Sequence, residues 1–170
     1  MKFKWMLSTT LVGAMLAGCG TPLDEQLEMG FAASEQSFEA DSKKPNTKQE
    51  NIAFYLPEGF EVENSEIEHN YLLNHNGELY VLFVNALEDS SSKFAYEHLM
   101  TEQEDKIVEV KTYETEEAFG YSAVLEQKKD EYELVTALGG VKVSTLTKGK
   151  ALDEKLAYMM EIAKSVQIEK

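Results

Sequence analysis

The chain has 170 residues, 43% hydrophobic and 28% charged, with 31 acidic residues against 16 lysines and a formal charge of −15. That length allows one domain with a core stable without staples once an N-terminal signal is set aside, and the acidic balance argues against nucleic acid, whose phosphates need cationic partners. Every basic residue among those 16 is lysine, so guanidinium capture of a phosphate or carboxylate is excluded.

The N-terminus reads as a bacterial lipoprotein signal. Lys2 and Lys4 make a charged start, Trp5 to Ala17 a mostly apolar run, and Leu16-Ala17-Gly18-Cys19 a recognition site for a lipoprotein signal peptidase, with small residues leading into the cysteine. The alternative, a transmembrane anchor, needs roughly 20 apolar residues to cross about 30 Å of hydrocarbon, and this run is shorter. Cys19 is the single cysteine. It has no internal disulfide partner, so lipidation is its simplest role, with membrane lipid as the first partner of the chain. Residues 1–18 are then the signal peptide, and the mature protein faces outward from the cell membrane on an acylated, for example palmitate-bearing, Cys19. A disulfide scaffold, a thiolate zinc site and a cysteine nucleophile are all excluded. Cleavage before Cys19 also removes Lys2 and Lys4, which makes the mature chain more acidic and leaves the acyl chains, not the protein surface, to hold it on anionic lipid.

Residues 19–50 read as a lipidated N-terminus and flexible tether. From Ser34 to Glu50 the chain is Ser, Gln, Asp, Lys, Pro and Asn with few large apolar groups besides Phe38, a composition that buries too little surface to offset ordering entropy. Leu23, Leu27, Phe31 and Phe38 fall near helical spacing, but the tether is the reading carried forward.

From residue 51 to 170 the pattern is that of a globular α+β domain. Ile52 to Leu56 and Phe60 to Val62 flank the turn Pro57-Glu58-Gly59, and Tyr71 to Leu73 and Leu79 to Val84 flank Asn74-His75-Asn76-Gly77. The run Leu79 to Val84 is apolar at every position, which predicts a strand covered on both faces. Ser90-Ser91-Ser92 offer N-caps for a helix to about Asp105, burying Phe94, Ala95, His98 and Leu99. Strands follow at Ile107 to Tyr113, Phe119 to Gln127, Tyr132 to Leu138 and Val141 to Leu146, the last two joined by the Gly139-Gly140 turn. A final helix at about Ala151 to Lys164 presents Leu152, Leu156, Met159, Met160 and Ala163 along one face. Val166 to Ile168 closes the chain as a strand. This order predicts a single antiparallel β-sheet with helices packed on both faces.

Phe54-Tyr55-Leu56-Pro57-Glu58-Gly59-Phe60, Tyr132-Glu133-Leu134-Val135 beside Gly139-Gly140, and Ile162-Ala163-Lys164-Ser165-Val166 carry a resemblance that spans residues 51 to 170. They resemble the PsbP-like superfamily, which includes small bacterial lipoproteins of the DcrB and LpqN type. The resemblance implies an α/β/α sandwich serving as an accessory or binding module on a larger machine, and it brings no shared catalytic set. Short apolar motifs mark a fold rather than an activity.

Chemistry-bearing constellations are sparse. His69 and His75, with Glu66, Glu68 or Glu78, are the nearest thing to a metal site, but no HExxH or comparable spacing accompanies them. Surface loop histidines are the simpler reading, and His98 reads as a packing residue rather than a base. The carboxylate groups Glu114, Glu116, Glu117 and Asp130, Glu131, Glu133 lack a calcium-loop pattern and sit where strands turn. Ser122, Ser144 and Ser165 have no nucleophile elbow. The expectation is therefore no catalytic residue, metal or cofactor, and a non-enzymatic domain that binds an envelope protein partner. The alternatives are a hydrolase or metal-dependent enzyme with a dispersed site, which needs a histidine within reach of two carboxylates, and a small-ligand carrier, which needs an enclosed pocket. A shallow apolar patch favours partner binding.

Overall fold

The computed structural model describes residues 21–169 apart from 66, 68, 149 and 150. The chain runs α1 (Leu23–Glu39), β1 (Thr47–Gln49), β2 (Ile52–Phe54), β3 (Phe60–Glu63), β4 (Asn70–His75), β5 (Glu78–Val84), α2 (Phe94–Glu102), a 3-10 turn, β6 (Ile107–Glu114), β7 (Phe119–Lys128), β8 (Glu131–Leu138), β9 (Val141–Thr147), α3 (Leu152–Ser165) and β10 (Gln167–Ile168). The class is α+β with antiparallel pairing throughout.

Two sheets form where one was expected. Seven strands make the larger, in the order β3-β4-β5-β9-β8-β7-β6, while β1-β2-β10 make a separate three-stranded sheet. The expected partnership of β2 with β3 fails at Leu56. Its amide donates to Asn46 Oδ1 at 2.8 Å and its carbonyl accepts from Asn46 Nδ2 at 2.9 Å, so a side chain ends the strand just before Pro57, which has no amide to continue a ladder. β2 pairs instead with β1 and with the chain's last strand.

Turn chemistry sets the two meanders of the larger sheet. Asn76 and Gly77 both take positive φ, 53° and 82°, the combination a two-residue hairpin with native strand twist requires. At the β8–β9 turn the constraint is steric as well. A Cβ on Gly139 would lie 2.1 Å from the carbonyl oxygen of Asp89, so glycine lets the loop that follows β5 pack directly on this hairpin.

The stretch 23–49 is not a tether. Along α1, Leu27, Phe31 and Phe38 are buried, and the helix lies beside α3 with Gly30 against Leu152 and Leu156 and Lys164 donating to the carbonyls of Phe38 and Ala40. Those contacts make the helices parallel. A Cβ at position 30 would stand 3.0 Å from Leu156 Cδ1; glycine permits the close approach that converts a sparse apolar stripe into a buried one. The folded domain therefore includes α1 and does not begin at residue 51.

The main core lies between these two helices and one face of the seven-stranded sheet, joining Phe31, Leu152, Leu156 and Met159 to Tyr80, Leu82, Val124, Leu134 and Val143, with Ile52 and Phe54 from the small sheet. A second cluster on the opposite face joins Leu99 of α2 to Tyr121, Ala123, Leu125, Val135 and Ala137. The polar chain Ser34–Ser122–Thr136, with hydroxyl separations of 2.7 and 3.1 Å, ties α1 to β7 and β8 in the buried interior. It is structural.

Candidate docking surface

β5 departs from the expectation of a strand covered on both faces. Tyr80, Leu82 and Val84 are buried, whereas Val81 and Phe83 are half-buried and Leu79 is 45% exposed. The exposure of apolar residues on the second face has a physical cause: α2 is short and packs over β7 and β8 through Leu99, and among the described residues no helix lies above β4, β5 and β9. Strand register carries this open face across the sheet, Leu72 beside Val81, Val81 beside Ser144, and Phe83 beside Lys142. Leu146 on β9 adds a side chain 57% exposed.

Where α2 meets the open face there is a cleft of about 280 Å³, walled by Phe83, Phe94, Leu99, Val135 and Tyr121 with Glu88, His98, Glu133 and Lys142 at its polar margin. A shallower groove of about 320 Å³ shares Glu133 and runs on over Leu79, Val81 and Leu146. Together they form one continuous, mostly apolar surface along β5 and β9. Its frame is fixed by hydrogen bonds: Asn85 N donates to the Gly140 carbonyl at 2.9 Å, Phe119 N to the Ser90 carbonyl at 2.8 Å and Gly139 N to the Phe119 carbonyl at 2.9 Å.

The serine run ahead of α2 builds this frame instead of capping the helix at residue 90. Ser90 Oγ donates to the Glu117 carbonyl at 2.7 Å and Ser91 N to Asp89 Oδ1 at 2.9 Å, and the two Ser91 hydrogen bonds hold the Asp89 carboxyl below its usual range. The helix therefore starts four residues later, and Phe94 and His98, expected to be buried, face outward. Phe94 is 61% exposed and stacks in parallel on His98 with centroids 6.3 Å apart. At the cleft floor Tyr121 is buried, and desolvation followed by the nearby Glu133 charge pushes its phenol pKa up. Glu133 accepts from Gln127 Nε2 at 2.7 Å, and Lys142 stands over the Phe83 ring at 5.8 Å.

The histidines are dispersed. His69 is exposed at φ 64°, and its carbonyl accepts from Val84 N at 3.0 Å. His75 stacks on Phe60, centroids 4.4 Å apart, and lies perpendicular to Tyr158. Among the described residues no group of three His, Cys, Asp or Glu side chains converges as a metal site would. Ser165 is occupied in backbone hydrogen bonds to Tyr55 and Ile162, both at 2.8 Å, while Ser144 lies on the open face. In the first carboxylate group Glu114 pairs with Lys93 at 2.8 Å; in the second Glu131 pairs with Lys128 at 3.3 Å. Leu16, Ala17, Gly18 and Cys19, like Glu66 and Glu68, lie outside the described residues. Among the described residues no helix is long and apolar enough to cross a membrane.

No protein-family model matches this chain, and no curated protein matches it either.

Proposed function

We propose that this chain is a bacterial surface lipoprotein, held outward on the cell membrane by acylated Cys19, whose domain is a non-catalytic accessory module that docks an envelope protein. The fold we assign it is the PsbP-like α/β/α sandwich, with the three-stranded sheet as an addition at one side. The observation that carries the reading is the open apolar surface of β5 and β9 beside α2. Exposed Leu79 and Leu146 on the sheet, with Phe94 at the start of α2, offer anchor residues with little ordering cost, and a few central apolar residues typically carry most interface energy. A small-ligand carrier draws support from the cleft alone, whose volume falls near the lower end for ligand pockets.

The test is complementation of a deletion strain under envelope stress at matched surface abundance. Leu79→Ser, Phe94→Ser and Leu146→Ser change exposed positions and leave the fold intact; at least one of them should lose function. His69→Ala and His75→Ala, which lie outside this surface, should retain it, because neither supplies the roughly 10²- to 10⁴-fold effect of a general acid or base. A folded, acylated histidine variant that is inactive would move the assignment to an enzyme.

A further inference from the structure

Among the described residues the seven-stranded sheet ends in β6, an eight-residue edge with one free side. An unpaired edge is a template for another strand unless proline, charged side chains or a bulge blunt it. β6 has no proline, and its bulge, between Ile107 and Glu109, sits at its start and leaves the strand regular from Glu109 to Glu114. Its charges alternate in sign: Lys106 just before it, then Glu109, Lys111 and Glu114. Reflected about Val110, each of these positions meets one of opposite sign. Laid antiparallel on a second copy in that register, Glu109 faces Lys111 twice, Val110 faces itself, and Val108 faces Thr112.

The side chains present themselves in the way this pairing requires. Glu109 and Lys111 share one face, since their β7 partners are Val124 and Ser122, and Lys111 lies over the Phe31 ring at 5.5 Å. Val108 is 43% exposed. At the opposite edge, β3 has only four residues, and both of its charges, Glu61 and Glu63, are negative, so it offers no self-complementary register. Pairing β6 of one copy with β3 of another would not close and would lead to open chains, whereas β6 on β6 closes as a symmetric dimer.

We propose that β6 is a homodimerisation edge, in which two copies join antiparallel about Val110 through paired Glu109 and Lys111. The bulge between Ile107 and Glu109 confines regular pairing to the centre of the strand, so the contact is weak in free solution. Confinement of both copies to one membrane raises their effective concentration and favours it. The dimer leaves the β5–β9 surface open, because β6 and β5 are separated by three strands.

The experiment is oxidative cross-linking of the full chain in membranes, with Val110→Cys as the reporter at the symmetry axis. The unmodified chain serves as control: a cross-link there reports a free Cys19 thiol and overturns acylation, not dimerisation. V110C should give a band of twice the monomer mass. Adding K111E turns two attractive cross-strand pairs into repulsive ones and should lower the cross-linked fraction about tenfold; adding E109K with K111E should restore it. No V110C cross-link, a K111E variant that cross-links as well as V110C alone, or failure of the double exchange to rescue would each overturn the proposal.

Discussion

Tyr121 anchors one wall of the candidate surface at the level of single atoms. Its ring forms part of the cleft wall and its hydroxyl donates to the Ala95 carbonyl at 3.4 Å, tying α2 to the sheet. Burial raises the phenol pKa values of Tyr121, Tyr80 and Tyr113 above the ordinary 10.0. The folded state therefore holds these protons more tightly than the unfolded chain does. Their contribution to stability is fully present below pH 10.0 and is lost as pH rises through the higher folded values. Denaturant midpoints should be flat with respect to these groups up to that pH and should fall above it, with phenol absorbance changing together with unfolding. Tyr121→Phe should lower stability at neutral pH by only about 1 kcal/mol, as expected for one modest hydrogen bond, and should flatten part of the alkaline decline. An alkaline decline as steep as in the parent would show that Tyr121 ionises freely in the folded state.

Among the elements, α1 shows most plainly how a composition argument fails. A segment with this many polar residues cannot build a core of its own, which is why it reads as a tether. Yet Leu27, Phe31 and Phe38 need only a partner, and α3 supplies one across Gly30. Burial of such side chains contributes roughly 1.5 to 3 kcal/mol each, so the three together approach the 5 to 15 kcal/mol that a whole domain has available. A fragment of residues 51 to 170 should therefore lose cooperative unfolding in thermal or denaturant melts, while residues 21 to 170 should keep it. A fragment that melts as the longer one does would mean α1 adds nothing to the core. Strands β4 to β9 lie within a residue or two of where alternation and turn residues place them, because hairpin geometry is local. The small sheet is not local. β2 and β10 are more than a hundred residues apart in sequence, and only the folded core brings Gln167 opposite Ala53.

For the molecule as a whole, the proposed anchor and the domain lie close together. Cys19 stands two residues before Thr21 and four before the start of α1, and two extended residues span at most about 7 Å. A protein acylated at Cys19 would hold its domain against the membrane, in reach of partners embedded there. Cys19→Ala should lose incorporation of a fatty-acid probe and retention in the membrane fraction; a label that persists on that variant would refute the anchor.

Residue type and spacing were enough to give the α+β class and most strands, since each depends on short-range chemistry. The candidate surface depended on tertiary structure. An apolar residue at every position of β5 shows that both faces are water-averse, but whether the second face is covered depends on how far α2 reaches across the sheet. That reach is set by the loop of residues 85–93, pinned to the Gly139-Gly140 hairpin by contacts from distant sequence. The free edge of β6 was decided in the same way. Its alternating charges are written in the chain, but only the strand order puts Glu109 and Lys111 on the outermost strand of the described sheet.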